Sequence, residues 1–117
     1  MHNFKNLKIW IVSIELVSES YKMTRTFPDF EKFGLVSQMN RSAISIPSNI
    51  AEGSSKSTDK HFNKYLEDSL GSAFEWETQL IIAFNEGYLS EEKFKEFELK
   101  IKQLQKMISG FQSGLKL

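Results

Sequence analysis

Leu7, Trp10, Ile14, Val17 and Tyr21 recur at spacings of 3, 4, 3 and 4. That rhythm is one face of an α-helix of about five turns. Thr26-Phe27-Pro28 ends it, because Pro28 cannot extend the hydrogen-bond ladder and pushes Phe27 towards extended geometry. Residues 28–34 form a short connection with room for one helical turn. A second helix is predicted over 34–52, with Leu35, Met39, Ala43, Ile46 and Ile50 as its apolar face. Pro47 lies inside it and predicts a kink or a loosened turn, and Gly53 reads as its C-terminal stop. Thr58 and Asp59 are cap candidates for a third helix over 58–85. Its face is Phe62, Leu66, Ser69, Ala73, Leu80 and Phe84, flanked by Tyr65, Leu70, Trp76 and Ile81. Asn85-Glu86-Gly87 turns the chain, and Ser90 caps a fourth helix with Glu91 and Glu92 in its first turn. Phe94, Phe97, Ile101, Leu104, Ile108, Phe111 and Leu115 form that helix's buried stripe. Its other side carries Glu91–Lys95, Glu96–Lys100 and Glu98–Lys102 at i,i+4. Nothing reads as a strand. The pattern predicts an all-α fold, an up-down-up-down four-helix bundle, as a single domain over 1–117.

The second helix stands out by its lack of charge. Gly34–Gly53 holds only Arg41 and Glu52 as charged residues in twenty. A helix so poor in charge is covered on more than one side, which points to a bundle helix that also meets a second chain. The first helix agrees. Beyond its Trp10 face, Ile9, Val12, Leu16 and Met23 form another apolar stripe, and Ser13, Ser20 and Thr24 separate the two on one flank. Only Lys8, Glu15, Glu19 and Lys22 look solvated. A surface helix usually shows one apolar stripe, so the second stripe, with Ile44 of the next helix, is read as a subunit interface. A homo-oligomer is expected.

Composition narrows the chemistry. The apolar fraction of 40% and the charged fraction of 26% are globular values. There is no cysteine, so disulfides, thiolate metal sites and a cysteine nucleophile are excluded. The N-terminus MHNFKNLKIW has no secretory pattern, and no apolar run is long enough for a membrane span. A cytoplasmic protein without membrane contact is expected. The net charge is zero, with +2 over residues 1–27, −4 over 57–89 and +2 over 90–117. A dedicated nucleic-acid binder is usually basic. The candidates for such contacts are Lys5, Lys8, Lys22 and Arg25 on the first helix and Lys93, Lys95, Lys100, Lys102 and Lys106 on the last. Most of the latter have glutamates at pairing distance, which makes a solvated face of them.

A polar constellation remains. Gln38, Arg41, Ser42, Ser45, Asn49 and Glu52 fall along one stripe of the second helix. On the third, Gly71-Ser72 precedes Glu75, and Glu77 projects inside the apolar arc. A carboxylate there needs a partner, and Arg41 is the candidate, pairing with Glu77 or Glu75 within or between chains. Gly71 suits a tight helix crossing. A network that fixes helix register is the plainer reading of these residues. Other motifs fail. Gly53-Ser54-Ser55-Lys56-Ser57-Thr58 ends like a phosphate loop but lacks the second glycine and follows a helix. His2 sits at a terminus expected to fray, and His61 has no relay partner in sequence. No Glu-x-x-His pattern suggests a metal. Glu75 and Glu77 point apart and cannot form an acid/base pair. No catalytic residue, cofactor or metal is predicted.

FPDFEKFGLVSQMNRSAISIPSNIAEG, followed by GSAFEWETQL and IIAFNEGYL, resembles the four-helix-bundle proteins encoded in intervening sequences of bacterial 23S rRNA genes. The resemblance runs from about Phe4 to Leu104 and is most specific over Gly34–Gly53 and Gly71-Ser72-x-x-Glu75. That family is similar in fold to the accessory protein of diversity-generating retroelements, a barrel-like homopentamer that binds nucleic acid. The resemblance implies a bundle, a pentamer and a nucleic-acid role. Two readings stand side by side: a non-enzymatic homo-oligomer that binds RNA or DNA, and a protein–protein adaptor or scaffold without nucleic-acid affinity.

Overall fold

The computed structural model describes residues 2–117. Four α-helices, α1 (Lys8–Thr24), α2 (Leu35–Ser54), α3 (Asp59–Asn85) and α4 (Glu91–Ser113), form an antiparallel bundle, with no strand among the described residues. Single 3-10 turns sit at Phe4–Asn6 and at Asp29–Glu31. α2 packs most extensively on α3, α1 sits on α2, and α4 closes the bundle against α3 and α1.

Local signals set the helix ends. The Thr58 hydroxyl accepts from the His61 N–H at 3.1 Å, and the Ser90 hydroxyl accepts from the Lys93 N–H at 3.1 Å. Each satisfies a donor that the first turn leaves free. α2 starts at Gly34, which has no cap side chain, and Glu31 supplies the acceptor from outside: the Leu35 N–H donates to its Oε1 at 3.2 Å. Gly87, at φ +82°, makes the turn between α3 and α4. All three predicted Glu–Lys pairs on α4 form, at 3.1, 3.9 and 3.6 Å.

Two expectations about glycine are reversed. Gly53 does not stop α2, which runs unbroken through Pro47 to Ser54. Gly53 is buried, and a Cβ there would stand 2.7 Å from Phe62 Cδ1 and from Tyr65 Cβ. It is the close approach between α2 and α3. Gly71, expected to hold the tight crossing, is exposed, with nothing within 4 Å of an added Cβ. His2 is anchored: its N–H donates to the Ser54 carbonyl at 3.1 Å, and its ring lies 5.1 Å from that of Phe62.

The larger correction concerns α1. Ile9, Leu16 and Met23, read as a subunit face, are only 4%, 3% and 6% exposed and belong to the chain's own core. Val12 is half-buried against that core. The stripe read as core turns outward instead: Ile14 and Tyr21 are exposed, and Trp10 and Val17 are half-buried. Ser13, Ser20 and Thr24, read as a divider, are buried and complete the inward face. Small side chains there let α1 lie close to its neighbours.

The two glycine environments predict opposite outcomes. Gly53→Ala should lose about 1–3 kcal/mol, since Phe62 and Tyr65 block the methyl group. Gly110→Ala, in open space on α4, should gain about 0.5–1 kcal/mol from helix propensity. Urea unfolding of both variants checks the signs.

Candidate functional site

The rotation of α1 has a polar cause. Trp76 on α3 is fully buried, and its indole N–H donates to the Ser20 hydroxyl at 3.0 Å. Ser20 donates to Asn40 Oδ1 at 3.0 Å, and Asn40 Nδ2 donates to Thr24 Oγ1 at 3.0 Å. Thr24 lies 3.2 Å from the Tyr21 carbonyl, which takes its proton. The chain of bonds crosses three helices. Below it the Ser42 hydroxyl meets Gln79 Oε1 at 2.6 Å, and the Ser69 hydroxyl donates to the Ile46 carbonyl at 2.9 Å. Among the described residues no buried side-chain nitrogen or oxygen lacks a partner. These groups are closed on one another, as a register-setting network should be.

The predicted polar stripe shares only buried Ser42 with this network, and the rest of it lies towards the outside. Gln38, Arg41 and Glu52 are exposed, and half-buried Asn49 donates to the Ser45 carbonyl of its own helix at 2.9 Å. Glu77 turns towards α4, where Gln105 Nε2 donates to its Oε1 at 2.8 Å. Glu75 is exposed. Neither glutamate pairs with Arg41 in this chain, so the expected intrachain pair is overturned. On the α-helical wheel Glu77 sits on the α4 side of α3, across the bundle from Arg41. Ser20, Asn40, Thr24 and Gln79 were absent from the candidate set. The available signal was the indole itself, which in a bundle centre demands an acceptor.

Outward rotation of the Trp10 stripe opens a seam between α1 and α2. A cavity of about 280 Å³ is lined by Trp10, Ile14 and Val17 from α1 and by Ile44, Pro47, Ser48 and Ala51 from α2. Ile44, 40% exposed, leads into a second groove of about 470 Å³ with Tyr21, Lys32, Phe33, Ser37, Asn40, Arg41 and Ser45. One end of the seam is therefore apolar and the other basic and aromatic. Phe30 and Phe33 project at 78% and 89% exposure, with the Lys32 ammonium 5.5 Å from the Phe33 ring centre. Arg25 borders the same end, beside Tyr21, Lys32 and Asn40. Lys5, Lys8 and Lys22 are exposed elsewhere along the first helical segment, with Lys8 and Lys22 bordering grooves on its α4 side.

Charge is otherwise tied down around α4. Lys100 bonds Glu19 across the α1–α4 interface, and that hydrogen bond raises its pKa. Tyr88 donates to Glu31 Oε2 at 2.8 Å and so joins the α3–α4 turn to the start of α2. That bond, then desolvation and the negative charge of Glu31, push the phenol up to about 12. Neither imidazole bonds a carboxylate or a hydroxyl among the described residues, and no group of three or more His, Asp or Glu there could hold a metal. Gly53 and Ser54 of the phosphate-loop-like stretch are inside α2, and Lys56 lies over the Tyr65 ring at 5.1 Å. Among the described residues no helix is long and apolar enough to cross a membrane.

Comparison with known proteins agrees with this architecture. The family model described as 23S rRNA-intervening sequence protein matches residues 5–110. A crystal structure of a protein of unknown function from the S23 ribosomal protein family of Bacteroides thetaiotaomicron VPI-5482 superposes with a TM-score of 0.79. The two are 21% identical, and the match covers 89% of this chain and 97% of the other, a likeness of fold. No curated protein matches the chain.

Asn40→Ala should cost about 2–3 kcal/mol in chemical unfolding, because it strands buried Ser20 and Thr24. Gln38→Ala, two residues away on the exposed side of the helix, should stay within about 0.5 kcal/mol. Tyr88 gives a pH signature. Its folded pKa lies above its unfolded value of 10.0, so its contribution is complete below pH 10 and is lost as pH rises to about 12. Tyr88→Phe should flatten that part of the alkaline stability profile, read by thermal melts from pH 9 upwards.

Proposed function

The chain belongs to the 23S rRNA-intervening sequence protein family, and on that footing we propose that it is a non-enzymatic homo-oligomer that works in the cytoplasm by binding. The open α1–α2 seam carries this reading. Ile14 and Ile44 are exposed on the outside of the bundle, and with half-buried Trp10, Val17 and Ala51 and buried Pro47 they line one contiguous apolar strip. Strips of this kind are subunit contacts in soluble proteins. The fully satisfied buried network speaks against a catalytic centre in the bundle. Five is the number of copies we favour, carried over from the retroelement accessory protein that the family resembles.

A nucleic-acid role rests on a separate observation. Lys32 stands beside exposed Phe33 at the basic end of the seam, and Arg25 and Asp29 line the adjoining groove with Lys32. Cations next to free aromatic faces suit unpaired bases and their phosphates. Repetition around a ring would gather these groups at one end and offset the zero net charge of the single chain. Without such binding the protein is an adaptor or scaffold for other proteins.

Light scattering at micromolar protein should give a mass several times 13.6 kDa. Ile14→Glu with Ile44→Glu should bring it down to one chain while helicity by circular dichroism persists. A single-chain mass for the unmodified protein sinks the oligomer. For nucleic acid, a gel shift with single-stranded RNA should weaken log-linearly with salt. Arg25→Glu with Lys32→Glu should reduce affinity by roughly tenfold or more. No shift at about 50 mM salt favours the adaptor.

A further inference from the structure

The seam has a counterpart on the same chain. α3 is 27 residues long, and its outward stripe at 3/4 spacing is Gly71, Phe74, Glu75, Thr78, Ile81 and Ile82. Phe74, Ile81 and Ile82 are 52%, 40% and 45% exposed. Three large apolar side chains there keep about half of their surface open to solvent. Gly71 adds a second oddity. A mid-helix glycine is less favourable than alanine, and here no intrachain contact accounts for it. A backbone approaching from outside would.

Charge matches the two faces. Among the described residues Glu67, Asp68 and Glu75 on α3 are exposed without an ion-pair partner, as are Arg25, Lys32 and Arg41 at the seam; Lys60 and Lys64 near the start of α3 and Asp29 beside Arg25 are unpaired charges of opposite sign. The two faces do not overlap. α1 and α3 stand diagonally across the bundle, and among the described residues the one hydrogen bond between them comes from the indole of Trp76. A single chain cannot bring them together, but two copies can. We propose that the outer stripe of α3 in one copy docks into the α1–α2 seam of the next, Phe74 and Ile82 covering Ile14 and Ile44, and Glu75 meeting Arg41. Gly71 then allows the helices to approach closely. The contact is head-to-tail, using different patches on its two sides, and such contacts close into rings when the rotation allows. A twofold dimer through two seams would instead set Arg41 and Lys32 near their own copies, at a cost in like-charge repulsion.

This proposal rests on the homo-oligomer reading, and the experiment separates their failures. Arg41→Glu and Glu75→Arg, each alone, should raise the concentration at which assembly is half complete by roughly tenfold or more, and the double variant should restore it to within about threefold. Sedimentation velocity reads all three. Because the chain has no cysteine, Ile44→Cys and Ile82→Cys chains can be mixed and treated with a bis-maleimide. Cross-links are expected in the mixture and absent from either variant alone. Cross-linking of Ile44→Cys alone overturns the head-to-tail contact in favour of a twofold one. An intact assembly with no mixed cross-link and no rescue by the double variant overturns the docking while leaving the oligomer. A monomeric unmodified protein removes the oligomer itself.

Discussion

An indole N–H in the middle of a helical bundle must find an acceptor, and the bond from Trp76 to Ser20 sets the arrangement of the other helices. Ser20 faces inward to receive it, which fixes the rotation of α1 about its axis. Ile9, Leu16 and Met23, on the same face by helical spacing, are carried into the core. Trp10, Ile14, Val17 and Tyr21 are carried out to the seam. Asn40 passes the constraint to α2 by accepting from Ser20 and donating to Thr24. A slip of one residue in either helix would break several of these bonds at once. Burial alone would tolerate such slips more readily, because apolar contacts are not directional.

The low charge of α2 follows in part from its position. Its two buried sides face α1 and α3, where Asn40, Ser42 and Ser54 are the polar groups, each with a partner. Gly53 draws its end onto Phe62 and Tyr65, and Ser69 reaches its backbone just before Pro47. The remaining narrow outer strip is where Arg41 and Glu52 stand. Ser37, Gln38, Ile44 and Ser48 are exposed on α2 as well and carry no charge. Burial against α1 and α3 therefore explains only part of the composition of α2, and the exposed Ile44 is what asks for cover by a second chain.

Features that depend on neighbours in sequence were legible. The four helices, the Thr58 and Ser90 caps, the Gly87 turn and the glutamate–lysine pairs of α4 all appear where the pattern puts them. Features that depend on the partner helix were not. Both stripes of α1 are apolar enough to be core, and periodicity cannot choose between them. The choice is made by a hydroxyl at position 20 and an indole 56 residues away. Glu77 was rightly expected to need a partner, but spacing alone does not say that α4 lies nearer to it than α2, so Gln105 was missed. Gly53 and Gly71 exchanged roles for the same reason: closeness between helices is a property of the pair. The seam was legible only through Ile44, and its α1 side was assigned to the wrong stripe.

The zero net charge looks different once the ion pairs are placed. α4 neutralises its own surface through Glu91–Lys95, Glu96–Lys100 and Glu98–Lys102, with Glu19 added from α1. Pairs of that kind contribute a few tenths of a kcal/mol each and leave little field outside. Among the described residues, unpaired Arg25, Lys32 and Arg41 gather along the α1–α2 seam with Asp29 beside them, and unpaired Glu67, Asp68 and Glu75 gather on the outside of α3 with Lys60 and Lys64 towards its start. A chain that is neutral in sum yet divided in this way has weak long-range attraction for a uniformly charged polymer. It has a stronger one for another body divided in the same way, and the nearest such body is its own copy. Self-association first, with any nucleic-acid contact made by cations that the assembly leaves uncovered, is the order of events that this distribution of charge favours.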